Sequence, residues 1–446
     1  MEAMRPPPAP EPPSEPAPVP PLEQPAVRRT SRRVIAGMLV IAAIATVQAA
    51  LTGAPTTRGV GFDERRYEVW ASNLYAHGFY GDLATSALAK EEMRSVPYTT
   101  YLPPGYPFYL VALKSIHQDN ATTRRGLQAA MVGLTVFLIG LMALKLFGPV
   151  AALLSEALLV ATAVLATYAQ FTLAETLSTA TLVGALALTM FGLRRRSWWM
   201  LVAGGAILGY SILVRPQVLL LPVPIAVYIF FALGRKKRAL ALAAIFLVAS
   251  YGVVAPWTVR NYLRVHTFVP VASYTWFNFW EVNSPLANGH FVLPERVIPE
   301  QTRQIRSLNE IQQDSAWRTL ALTWIRHHPV AAIRGWVRDA LFYGYTSDPW
   351  VRDWDTLHGW HPPRLDERLM YPFVFVSMVF VFVRRRRWET AGLFVLVVLY
   401  FVGFFSFFLP LARYRETLIP VLALLAAAAP EMIRDFRVSR RAAPAI

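Results

Sequence analysis

Apolar residues in this chain gather into long runs, each bounded by polar or basic residues. As α-helices, runs of about twenty residues cross the roughly 30 Å of a bilayer's hydrocarbon. Read with their flanks, they predict membrane spans near 34–53, 128–147, 150–169, 173–193, 198–214, 217–233, 239–256, 370–383, 390–409 and 416–433. The expected fold class is an all-α polytopic membrane protein of about ten transmembrane helices. Two segments interrupt the pattern, 54–127 and 257–369, each too polar to span and too long for a simple connection.

Charge changes the picture by giving it a direction. Lysine and arginine number 44 against 28 acids, a formal charge of +16. The excess sits in short clusters at 28–33, Lys145, Arg194 to Arg196, Arg235 to Arg238, Arg384 to Arg387, and Arg434, Arg437, Arg440 and Arg441. All fall on one side if both termini are cytoplasmic, which is how topology is encoded in bacterial-type inner membranes. The basic balance therefore reads as membrane orientation, and nucleic acid is set aside as a partner. Both long interruptions become extracytoplasmic loops.

The domain reading follows. Eleven of the first 27 residues are proline, so 1–33 reads as a disordered cytoplasmic tail with a basic flank. An N-terminal transmembrane module spans 34–256 and includes the loop 54–127; an extracytoplasmic region covers 257–369, terminal spans 370–433, and a basic tail 434–446. With no cysteine there is no disulfide framework, zinc-thiolate site or thiol nucleophile.

Within the first loop, GFDERRYEVW (61 to 70) places adjacent acids just beyond the first span. Asp63 is a plausible helix N-cap and Gly78 a plausible stop, while Tyr67, Trp70, Ala71 and Leu74 recur at helical spacing. This predicts an amphipathic helix on the membrane surface. Further on, YLPPGYPFYLVAL (101 to 113) joins a proline-stiffened turn to an apolar helix too short to span.

Arginines on the outer side oppose the insertion bias and are costly to bury. Arg215, Arg260, Arg413 and Arg415 all lie there, and if the bundle gathers them, their guanidinium forks suit a phosphate. Taken singly, each can equally snorkel to headgroups or pair with a nearby acid. Glu175 opens a span on the same side, where it can serve a site or favour the helix dipole. RDWDTLHGWHPP (352 to 363) contains a DxD with Asp353 and Asp355 and an HxxH with His358 and His361. A divalent metal is conceivable there but not supported, because that mixed ligand set suits no metal well. No cofactor is expected: phosphate-loop, dinucleotide and nucleophile-elbow motifs are all missing.

Taken in order, FDERRY (62 to 67), PPGYPFYLVAL (103 to 113), LAET (173 to 176), LVRPQ (213 to 217), PWTVRNY (256 to 262) and RYRETLIP (413 to 420) resemble membrane glycosyltransferases of the C-type fold. The likeness is to the protein O-mannosyltransferase group, which includes the lipid A aminoarabinose transferase. It implies transfer of a sugar from a polyprenyl-phosphate donor to a glycan, lipid or protein acceptor. Asp63 would be the general base or acceptor-orienting group with Glu64 its partner. Arg215, Arg260 and Arg413 would bind the donor phosphate, and Tyr67, Glu175 and Tyr106 the substrates. The aminoarabinose branch has Glu-Lys before its proline pair, whereas this chain has Tyr101 and Leu102, leaving more phosphate work to the arginines. Two other readings stand beside this one: a transporter or flippase of lipid-linked sugars, and a catalytically silent subunit of a glycan assembly complex.

Overall fold

The structure of the protein is a computed structural model describing residues 32–55, 61–83, 97–287, 294–345, 357–358, 364–383, 385–408 and 410–441. The proline-rich stretch and most of the DxD/HxxH turn lie outside them. Every apolar run forms helix. Arg32–Leu51, Ala121–Phe147, Glu175–Arg195, Lys237–Val265 and Arg413–Arg434 are long and apolar enough to cross a membrane. Shorter apolar helices, Pro149–Thr162, Trp198–Val214 and Ala391–Phe407 among them, pack between these.

Two runs are broken where single spans were expected. The run at 150–169 divides at Ala163, whose left-handed backbone (φ 53°) separates Pro149–Thr162 from Val164–Tyr168. Hydroxyls of Thr162 and Thr167 donate to the carbonyls of Leu159 and Ala163, local bonds that compete with helix propagation. The run at 217–233 becomes a 3-10 turn, Pro216–Val218, followed by Pro222–Ala232. Pro222 and Pro224 have no amides to donate back to Val218 and Leu220 across the junction.

Glu175–Arg195 packs along Trp198–Val214, which packs in turn on Lys237–Val265. At Gly209 a Cβ would lie 2.2 Å from the carbonyl oxygen of Ser250, so only glycine permits this approach. Arg32–Leu51 packs on Ala121–Phe147 and otherwise exposes Leu39, Val40, Ile44 and Val47. Such a face suits lipid.

The helix Gly61–His77 fills the first interruption, and Gly78 (φ 61°) ends it as expected. It starts three residues earlier than an Asp63 cap would place it, so Asp63 lies inside its first turn and is not the N-cap. Nor does the helix lie alone on a membrane surface. It packs against Gly105–Ser115, burying Trp70 and Ala71 completely. The second interruption carries Thr275–Val282, Pro299–Arg306, Glu310–His327 and Pro329–Tyr345, with a small core of Trp280, Ile305, Trp317 and Ala321. Glu310 ties the two interruptions together. Its carboxylate accepts from the Thr99 amide (3.0 Å), the Thr99 hydroxyl (2.8 Å) and the Thr100 amide (3.0 Å).

Candidate active site

Two ion pairs meet at the end of the bundle where these interruptions fold. Asp63, in the first turn of Gly61–His77, accepts a hydrogen bond from Arg413 at 2.8 Å. Beneath it Glu175, at the start of its span, pairs with Arg215. The pairs differ in depth: the side chains of Asp63 and Arg413 are 40% and 20% exposed, those of Glu175 and Arg215 1% and 10%. An incoming molecule meets the Asp63 carboxylate first. The ring of Tyr414 is in contact with both cations, 5.1 Å from each guanidinium.

Local chain geometry explains why these side chains arrive here. Arg215 sits in an extended turn (φ −144°, ψ 111°) after Trp198–Val214, where the following proline forbids continuing the helix. Arg413 is held in place by the residues that follow it. Arg415 donates to the Tyr343 carbonyl (2.6 Å) and pairs with Glu367 (2.7 Å), while Glu416 accepts from the Thr179 hydroxyl (3.0 Å). One short stretch, 412–418, is thus anchored to three elements while offering Arg413 to a fourth.

Burial would raise the Asp63 carboxyl, but Arg413, aided by Arg66 and Arg215, outweighs it and holds Asp63 below the ordinary aspartate value of 3.8. Burial raises Glu64 above the usual glutamate range, although the Thr172 amide bonded to it works the other way. Tyr67 is pushed well up, chiefly by burial, so its phenol keeps its proton beside Arg215, Glu175 and Asp63.

Five expected residues therefore come together: Asp63, Tyr67, Glu175, Arg215 and Arg413. Others are placed elsewhere. Glu64 turns away from Asp63 and accepts from the Thr172 amide at 2.6 Å. Successive helical residues point about 100° apart, which puts adjacent acids on different faces. Tyr106 is fully buried, its hydroxyl on Gln128 (3.3 Å) and its ring edge-on to Tyr67 (5.0 Å), so it positions Tyr67. Arg260 donates to the carbonyls of Thr99 (2.6 Å) and Tyr80 (3.1 Å) and stacks on Trp257. Its fork is occupied by backbone, and Arg415's by Glu367 and Tyr343. Arg66, Tyr414 and Glu416 escaped the sequence reading. Arg66 lies three residues after Asp63, less than one helical turn, and Tyr414 and Glu416 sit inside RYRE, so proximity to recognised residues was the available signal. Among the described residues, no three histidine, aspartate or glutamate side chains converge to hold a metal.

Comparison with known proteins agrees with this architecture. Residues 102–259 match the family described as dolichyl-phosphate-mannose-protein mannosyltransferase. The oligosaccharyltransferase of Archaeoglobus fulgidus in its apo form superposes with a TM-score of 0.53 at 13% identity, over 92% of this chain and 52% of that one. The same enzyme tethered to an acceptor peptide containing the NVT sequon gives 0.52 at 14%, over 92% and 51%. ArnT from Cupriavidus metallidurans in the apo state gives 0.37 at 16%, over 89% and 78%. No curated protein matches significantly in sequence. The chain spans about half the length of the archaeal enzyme. At such identities the likeness is one of fold, and the fold is that of the C-type membrane glycosyltransferases.

Proposed function

We propose that this protein is a membrane glycosyltransferase moving a monosaccharide from a polyprenyl-phosphate donor to a glycan, lipid or protein acceptor of the cell envelope. The reaction takes place on the outer face of an inner membrane, with both termini cytoplasmic. The carrying observation is the half-buried Asp63–Arg413 pair beside the buried Glu175–Arg215 pair. The family match over 102–259 and the shared fold support the reading.

In this mechanism the acceptor hydroxyl attacks the anomeric carbon from the face opposite the phosphate. One carbon–oxygen bond forms as the bond to phosphate breaks, giving inversion. The hydroxyl proton passes to Asp63, and the polyprenyl phosphate leaves with its charge held by Arg413 and Arg215. A carboxylate held acidic by a guanidinium is a poor base. The donor resolves this: its phosphate draws Arg413 towards itself, loosening the hold on Asp63 just as proton demand develops. Tyr67, a neutral phenol beside both carboxylates, offers a donor to a sugar hydroxyl.

The test is incubation of purified protein with radiolabelled polyprenyl-phosphate sugars and cell-envelope acceptors. Label is expected on the acceptor; label that only crosses a bilayer, or stays on its lipid with every acceptor, overturns the proposal.

A further inference from the structure

A shallow surface groove opens on the flank of the Gly61–His77 helix, lined by Ser72, Tyr75, Ala76, Lys114, His117 and Asp119. Nothing in the mechanism uses it. Tyr75 follows Asp63 by twelve residues, about 18 Å along a helix. At about 100° per residue the two project about 120° apart, so the groove lies beyond the reach of the reacting atoms. Glu64, Glu68 and Tyr75 share one flank, and a chain of contacts runs along it. Asp119 lies 3.4 Å from Arg124, Arg124 pairs with Glu68 (2.5 Å) and donates to the Thr172 hydroxyl (3.2 Å), and the Thr172 amide donates to Glu64.

The chemistry of the lining selects a ligand. Tyr75 is 47% exposed, an aromatic face open to solvent. Lys114 is neutralised by Asp119 at 2.5 Å, so the groove offers no uncompensated positive charge to a phosphate or carboxylate. What remains is a ring platform flanked by an ammonium, an imidazole, a hydroxyl and a carboxylate: donors and acceptors side by side. That set matches neighbouring hydroxyls on an uncharged pyranose or furanose whose C–H face lies on the ring.

We propose that this groove is a distal subsite for an uncharged oligosaccharide, holding the far part of the acceptor while its reacting end reaches Asp63. The proposal rests on the glycosyltransferase reading for its purpose but not for its chemistry. An acceptor spanning both places must be several sugars long, so the glycan is selected here among the possible acceptor kinds.

The experiment measures direct binding, which requires no transfer. Purified full-length protein is titrated with neutral hexose and pentose oligosaccharides of one to six units, alongside Tyr75→Ala, Tyr75→Phe and Asp63→Asn. Longer oligosaccharides are expected to bind, with affinity falling about tenfold or more in Tyr75→Ala and retained in Tyr75→Phe, which keeps the ring. Thermal unfolding checks that Tyr75→Ala is folded, as the exposure of the side chain predicts. The subsite is overturned if no oligosaccharide binds, or if Asp63→Asn abolishes binding while Tyr75→Ala preserves it. Groove binding without sugar transfer from any polyprenyl-phosphate donor leaves the subsite standing and removes the glycosyltransferase reading.

Discussion

Asp63 and Arg413 stand 350 positions apart in the chain, yet carboxylate and guanidinium meet at 2.8 Å. The contact joins the loop after the first span to the start of the last, so the candidate site exists only when both ends of the chain are in place. It also couples two expected roles, proton acceptor and phosphate ligand, in one bond.

Asp63→Asn removes the proposed base while keeping the shape. Positioned acid–base groups contribute about 10²- to 10⁴-fold, so initial transfer rates at saturating donor are expected to fall within that range. Because the pair is partly exposed, its loss should cost only about 0–1 kcal/mol of stability. A transfer rate equal to that of the unmodified protein, measured beside a thermal-unfolding control, would show that the proton goes elsewhere.

Arg413→Ala should weaken donor use about 10- to 100-fold, the equivalent of losing one charge-assisted contact worth about 1.5–3 kcal/mol. Arg413→Lys should recover part of this, since it keeps the charge and loses the fork. The same alanine variant also removes the group that depresses Asp63. A carboxyl held below 3.8 in the folded state contributes stability above that value and loses it as pH falls through the folded value. In Arg413→Ala, both the acid limb of activity and the onset of acid unfolding should therefore move to higher pH. Superimposable pH profiles for the two proteins would refute the coupling.

Glu175→Ala should behave differently from Asp63→Asn. It leaves the buried Arg215 guanidinium without its carboxylate, a change that costs about 3–5 kcal/mol. Lowered melting temperature and poor recovery from detergent are expected, in addition to lost transfer. A variant as stable as the parent would place Arg215 in contact with water and contradict the buried pair.

Arg260→Ala should lower stability by about 1–3 kcal/mol through the loss of charge-assisted bonds to Thr99 and Tyr80. Once the variant is stabilised by low temperature, its KM for donor should match the parent's. A raised KM without a lowered melting temperature would return Arg260 to the phosphate site.

Asp314 accepts from the Trp276 amide at 2.9 Å, and burial, only partly countered by that bond and by Arg318, raises its carboxyl from 3.8 to about 7. A carboxyl raised on folding holds its proton in the native state across that window, so stability falls as pH rises through it. Asp314→Asn should flatten this slope in thermal unfolding between about pH 4 and 7. An unchanged slope would mean that another group titrates there.

The helices were legible because burial in lipid demands uninterrupted apolar length, and 198–214 was read to the residue as Trp198–Val214. The breaks at Ala163 and Pro222 were not, since hydroxyl-to-carbonyl bonds and missing amide donors scarcely alter hydropathy. In the site, Asp63, Glu175, Arg215 and Arg413 were visible as charges in costly places. Arg260 looked the same, but no local pattern discloses that two carbonyls 161 and 180 residues earlier occupy its fork. Tyr414 and Glu416 carry their meaning only through contacts with distant helices.

The grip of Glu310 on Thr99 and Thr100 sets a timetable for biogenesis. The threonines are synthesised first, and the carboxylate that captures their amides follows 211 residues after Thr99. At about 5–20 residues per second, the first loop waits roughly ten to forty seconds before its partner is synthesised. Until then neither the Thr99 nor the Thr100 amide has its carboxylate acceptor, and Glu310→Ala would leave both without it.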